Sequence, residues 1–226
     1  MRIALAAFGF ALIACAGSAQ KPVTIPVAGT TVPVHGDLYS NGPRGLLLAH
    51  GGRFNKESWA PQARAFADAG FTVLAINFRG DTVNKDGSPS AEGSDADNAA
   101  DVLASVRYLH SLGLKSVSAV GASLGGDAVG EADAAANPGE FDRVVFLGSE
   151  GGDHPRKLTG RKLYIVARGD ANSDGLRLPG IEAHFARAPQ PKKLVIVEGT
   201  AHAQFLFGTA EGPRVMSEIS EFLLEK

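Results

Sequence analysis

Ser116-Val117-Ser118-Ala119-Val120-Gly121-Ala122-Ser123-Leu124-Gly125-Gly126 is the stretch on which the fold turns. Ser116–Gly121 reads as a buried strand, and Ser123–Ala136 reads as a helix stopped by Asn137-Pro138. Between them stands Gly-x-Ser-x-Gly. A serine lifted onto a tight strand-to-helix turn has a strained backbone, so its neighbours two residues away must be small. Gly121 and Gly125 meet that need, and Gly126 lets the helix lie close to the sheet. The backbone N–H of Leu124, at the helix N-terminus, would point at a developing oxyanion. A dinucleotide fingerprint needs a glycine where Ser123 stands, and no Gly-Lys-Ser/Thr closes a phosphate loop.

The same alternation extends outward in both directions. Val23–Val27 and Val32–Tyr39 read as an antiparallel hairpin around Ala28–Thr31. Gly45–Ala49 is a short apolar strand running into His50-Gly51-Gly52. Ser58–Ala69 reads as a helix with Trp59, Ala63, Phe66 and Ala67 on one face and Gly70 as its stop. Strands follow at Phe71–Phe78, Arg143–Gly148, Leu163–Ala167 and Lys193–Val197. Helices are expected at Asp95–Leu112, within Leu176–Ala188 and at Glu211–Leu224, with a polar loop from Gly80 to about Ser94. Apolar strands alternating with amphipathic helices imply a mostly parallel sheet covered on both faces. The short polar stretch between Gly148 and Leu163 leaves no room for a cap domain, so the site is expected to be open.

The chain has 226 residues, a net charge of −2, 44% apolar and 20% charged residues. It can bury a full core without staples, and no block of like charge points to nucleic acid. Residues 1–19 are set apart from residues 20–226, which form one domain. Met1-Arg2 is a minimal basic start, and Ile3–Ala14 is apolar but short of the ~20 residues that span a bilayer. Gly17-Ser18-Ala19 fits a signal-peptidase site, so export to the periplasm or medium is expected. Leu12-Ile13-Ala14-Cys15 also resembles a lipobox, so a lipid anchor at Cys15 stands as the alternative. Nowhere else does an apolar run approach membrane length. Cys15 is the only cysteine, and it offers no disulfide framework.

A serine hydroxyl at neutral pH needs a base within hydrogen-bond reach. Of the six histidines, His202 follows the strand Lys193–Val197 by a few residues. It therefore sits beyond a strand's carboxyl end, where open α/β sheets bind ligands. The acid belongs between serine and histidine in chain order. Asp170, three residues after Leu163–Ala167, is favoured, with Asp174 and Glu150 as alternatives. Gly52 is the choice for the second oxyanion donor, with Arg53 next. His50 is expected to be structural. Phe54, Trp59, Phe205 and Phe207 are candidates for a pocket, although core packing is the preferred reading of Trp59. The histidines are too scattered for a metal cluster.

His50-Gly51-Gly52 with Ser58-Trp59, Phe78-Arg79-Gly80, the Ser123 pentapeptide and Glu198-Gly199-x-x-His202 together resemble the α/β-hydrolase superfamily. The likeness is to its small, capless esterase and dienelactone-hydrolase-like members, from about residue 32 to the C-terminus. The acid region departs from the commoner Gly-x-x-Asp, because Gly169 is followed directly by Asp170. The resemblance implies hydrolysis of a small-molecule ester or related acyl bond, without metal or organic cofactor. Peptidase, thioesterase or acyltransferase chemistry on the same residues, or a non-catalytic binding protein of the same fold, are the competing readings. Fold alone does not name the substrate.

Overall fold

The computed structural model describes residues 20–40, 42–83, 89–91 and 95–225. The expected signal segment and Cys15 lie outside these residues. Eight strands form one sheet: β1 (Gln20–Ile25), β2 (Val34–Tyr39), β3 (Arg44–Ala49), β4 (Phe71–Asn77), β5 (Ser116–Ala122), β6 (Arg143–Leu147), β7 (Arg161–Ala167) and β8 (Lys192–Val197). Their spatial order is β1-β2-β4-β3-β5-β6-β7-β8. The β1–β2 and β2–β4 pairs are antiparallel, and all the others are parallel.

Among the described residues five helices cover the sheet: α1 (Ala60–Asp68), α2 (Asp95–Ser111), α3 (Leu124–Ala135), α4 (Leu178–Arg187) and α5 (Gly212–Leu224). Strand alternation sorts them onto two faces. On β3, Leu47 and Ala49 pack with Val102 and Val106 of α2, Val129 of α3 and Ile181 of α4. Leu46 and Leu48 point the other way, into a layer with Phe66 of α1 and Ile219 and Phe222 of α5. Both layers are built of buried apolar side chains. Leu46, Leu47 and Leu48 are fully buried, each contributing about 1.5–3 kcal/mol relative to an exposed side chain. Edge strand β1 carries Pro22, which has no N–H to offer a further strand.

The structure refines the expected elements at their ends. The first helix begins as a 3-10 turn, Lys56–Trp59, capped by the Asn55 side chain accepting from Ser58 N–H at 3.1 Å. α-Geometry starts at Ala60, with Pro61 in the first turn, where its missing N–H costs nothing. The polar loop after β4 contains a small antiparallel ribbon, Asp81–Val83 with Pro89–Ala91. A second ribbon, Ala171–Asn172 with Gly175–Leu176, stands between β7 and α4. Between β6 and β7 there is only a loop with one 3-10 turn, Pro155–Lys157. Among the described residues no cap covers the carboxyl end of the sheet, and no helix is long and apolar enough to cross a membrane.

Candidate active site

Ser123 sits between β5 and α3 with φ 50° and ψ −120°, a conformation that costs a non-glycine residue on the order of 1–3 kcal/mol. The turn tolerates this because its flanks are bare. A Cβ on Gly121 would lie 2.2 Å from the Gly125 carbonyl oxygen, and one on Gly125 would lie 2.4 Å from the Ala49 oxygen. Backbone hydrogen bonds hold the turn in place. Ser123 N–H donates to Leu147 O at 2.9 Å on the neighbouring strand, and Asp127 N–H donates to Ser123 O at 3.1 Å. Leu124 opens α3, so its N–H has no carbonyl within the helix to bond.

The sheet brings His202 and Asp170 to this serine. His202 Nε2 is 2.8 Å from Ser123 Oγ, and Nδ1 is 2.8 Å from Asp170 Oδ2. A carboxylate only accepts, so Nδ1 carries the proton and Nε2 is left to accept from the serine hydroxyl. Asp170 is fully buried, while the His202 side chain is 27% exposed. The acid turn is pinned to the histidine loop by Gly169 N–H donating to Gly199 O at 2.8 Å. It is pinned to the start of α4 by Arg177 N–H donating to Asp170 O at 2.9 Å. The Arg177 guanidinium adds its charge, with Nε 3.5 Å from Asp170 Oδ1. Sequence reading did not single out Arg177, since nothing in the chain pattern links it to an acid seven residues earlier.

The alternative acids lie elsewhere. Asp174 is exposed at the tip of the small ribbon, its own N–H bonded to Asn172 Oδ1 at 2.9 Å. Glu150 is exposed on the wall of a cleft. The other histidines are occupied structurally or remote. His50 is buried, its Nδ1–H donating to Gly51 O at 2.9 Å and its ring against Phe78. His110 bonds the carbonyls of Leu114 and Glu140, His154 meets Glu131, His184 meets Tyr164, and His35 is exposed on β2.

The loop after β3 passes beside the serine. A Cβ on Gly51 would lie 3.4 Å from Ser123 Cβ. Gly51 N–H is already given to Gln204 Oε1 at 2.8 Å, which leaves Gly52 and Arg53 as the loop's candidate oxyanion donors. Gly52 faces α3: a Cβ there would meet only Leu124 Cδ1, at 3.9 Å. Gln204, buried two residues beyond the histidine, is a second residue that sequence reading missed.

A cleft of about 720 Å³ opens at Ser123 on the α2/α3/α4 face, walled by Leu103, Ile181, Glu131, Glu150 and Arg177 among others. The four aromatic candidates do not line it, which corrects the expectation for Phe54, Phe205 and Phe207 and agrees with the core packing preferred for Trp59. They pack on each other instead, Phe54 with Phe205 at 4.8 Å and Trp59 with Phe207 at 5.7 Å between ring centres. Trp59 is fully buried in the α1/α5 layer. Among the described residues no group of three or more His, Cys, Asp or Glu could hold a metal ion.

No curated protein sequence matches the chain significantly. Solved structures do match in shape. A dienelactone hydrolase from Anabaena variabilis superposes with a TM-score of 0.71 at 19% identity, over 92% of this chain and 98% of its own. An esterase from Pyrococcus furiosus gives 0.74 at 16% identity, over 91% and 92%. An esterase from a Rhodococcus species gives 0.67 at 16% identity, over 90% and 98%. At these identities the likeness speaks for the fold. The sequence model described as the alpha/beta hydrolase fold matches residues 46–190. That is more than half of the chain, and it runs from β3 through the serine turn and the acid turn. By this match in sequence, the chain belongs to the α/β-hydrolase family.

Proposed function

We propose that the protein is a serine hydrolase that cleaves a carboxylic ester or related acyl bond of a small molecule through an acyl-enzyme intermediate. One observation carries the reading: the continuous hydrogen-bonded chain Ser123 Oγ–His202–Asp170, with both contacts at 2.8 Å. As the serine oxygen attacks the substrate carbonyl, His202 Nε2 takes its proton. Asp170 stabilises the imidazolium and fixes the tautomer. The carbonyl electron pair moves onto oxygen, where Leu124 N–H and a donor of the Gly52-Arg53 pair would meet it. Collapse expels the alcohol, which takes its proton from His202. Water then repeats the sequence and releases the acid. The open cleft suits a small acyl substrate that enters without lid movement, and the hydrolases of similar shape are consistent with ester chemistry.

Fluorophosphonate labelling, with turnover of p-nitrophenyl esters of graded chain length, tests this. Ser123→Ala is expected to abolish labelling and lower kcat by on the order of 10⁴-fold or more, with Tm almost unchanged. Retained turnover in pure Ser123→Ala protein rejects the proposal. Labelled protein that hydrolyses thioesters or peptides but no esters moves it to the neighbouring acyl chemistries. We also propose that the protein is exported, on the strength of the apolar run and Gly17-Ser18-Ala19. Expression with its own N-terminus should shorten the chain by about 2 kDa and place it outside the cytoplasm. Membrane retention with globomycin-sensitive processing supports lipidation at Cys15 instead, and an unprocessed cytoplasmic product rejects both.

A further inference from the structure

We propose that Gln204 is a positioning residue that sets the oxyanion loop, locking the loop after β3 to the turn that carries His202. The inference rests on the serine-hydrolase reading above. Gln204 is 7% exposed and lies 153 positions from Gly51 along the chain, yet its Oε1 accepts Gly51 N–H at 2.8 Å. A backbone N–H can only donate, so the amide oxygen must face Gly51. The amide nitrogen then donates to Ser58 Oγ at 2.9 Å, and the Ser58 hydroxyl donates to Asn55 O at 2.5 Å. One side chain thus grips both ends of the loop.

The geometry of this grip matters because the loop begins with two adjacent glycines, which left alone rotate freely. Gln204 fixes the His50–Gly51 peptide through its N–H. The next peptide is fixed through its carbonyl, since Gly51 O accepts from Phe54 N–H at 2.9 Å and from His50 Nδ1–H at 2.9 Å. In a trans peptide the N–H points opposite the C=O. The direction of Gly52 N–H is therefore set by bonds made on the far side of its own peptide plane. Two aromatic contacts run beside the polar one and repeat its pairing of segments: Phe205 on Phe54 and Phe207 on Trp59.

The turn is also shaped to deliver Gln204. Ala203, between the base and the glutamine, has φ 49°. Gly148 leaves it room, since a Cβ on Gly148 would stand 2.8 Å from Ala203 N. Phe205 N–H closes the turn on His202 O at 3.0 Å. Base and oxyanion loop are thereby held in one frame, and an error in either would displace the serine's two working partners relative to each other.

The test compares wild type with Gln204→Met, Gln204→Glu and Ser58→Ala, reading kcat per fluorophosphonate-titrated site, KM, Tm and the affinity of a trifluoromethyl ketone. That ketone forms an oxyanion on the serine. Gln204→Met keeps the bulk and loses the acceptor. Its kcat should fall by on the order of 10²-fold with KM almost unchanged, and ketone affinity should fall in parallel, because misplacing a transition-state donor costs that much. Gln204→Glu still accepts from Gly51 N–H but gives up the donor to Ser58 Oγ and buries a charge, so it should recover only part of the rate lost in Gln204→Met. Ser58→Ala, which frees only the amide's other end, should lose several-fold in kcat and ketone affinity together, and it carries the test if Gln204→Met does not fold. A Gln204→Met enzyme whose kcat per titrated site and ketone affinity match wild type overturns the proposal, as do unchanged values in Ser58→Ala. So does a defect in Gln204→Met that appears only in Tm and in the number of titratable sites. Such a result, with Ser123 still essential, leaves the hydrolase reading intact, whereas turnover surviving Ser123→Ala rejects that reading itself.

Discussion

The turn that carries Ser123 and the turn that carries Asp170 both stand at the carboxyl end of the same sheet, yet different forces shape them. Around Ser123 the constraint is steric and local. Two glycines four residues apart are required because their missing Cβ atoms would strike the Gly125 and Ala49 oxygens. Around Asp170 the constraint is electrostatic and assembled from distant segments. His202 donates to one carboxylate oxygen, Arg177 stands near the other, and Gly199 accepts from Gly169. A buried carboxylate is tolerable only with such partners. The first kind of turn is written in a pentapeptide, and the second exists only once the chain has folded.

The comparison predicts its own largest effect. Asp170→Asn should leave the fold intact while lowering kcat by on the order of 10⁴-fold, because the amide can donate to the imidazole and favours the wrong tautomer. The check is kcat/KM on one p-nitrophenyl ester alongside thermal melts. A near-wild-type rate would remove Asp170 from the chain of proton control.

A smaller effect concerns how the acid side is held. α4 follows the Asp170 ribbon and is tied to β7 by a 3.1 Å hydrogen bond between the Tyr164 hydroxyl and His184 Nδ1. Burial, helped by the charge of Arg187, pushes the His184 pKa down from 6.5 to about 4. The unfolded chain therefore takes up this proton before the folded one does. The stability it contributes is complete above pH 6.5 and is lost as pH falls toward 4, by up to about 3 kcal/mol. Urea midpoints across that range should fall in wild type and fall less steeply in His184→Gln. Equal slopes would contradict the assignment.

The smallest effect belongs to the control. Asp174→Asn should change kcat/KM by less than about threefold, since an exposed carboxylate at a turn contributes little. A large loss there, with Asp170→Asn active, would reverse the two roles and mean that the ribbon rearranges with substrate.

The sequence by itself determined the alternation of strands and helices, the serine turn and the place of His202 just beyond a strand. Each depends on contiguous residues: continuous apolar runs, helical faces, and glycines demanded by close backbone approach. Asp170 was favoured over Asp174 because it lies nearer the end of its strand, but the burial and the bond to His202 that separate the two exist only in the fold. A small ribbon turns Asp174 out to solvent while the sheet turns Asp170 in. Gln204 and Arg177 carried no local signal. The cleft's wall was misread at Phe54, Phe205 and Phe207, which are apolar enough for a pocket but pair off instead, Phe54 with Phe205 and Phe207 with Trp59, whose core packing was the preferred reading. What tertiary structure decided was every pairing across the sheet order β3-β5-β6-β7-β8. Steric rules act between neighbours in the chain, whereas charge compensation and hydrogen bonding act between neighbours in space, and only the completed sheet makes residues 51, 123, 170 and 204 neighbours.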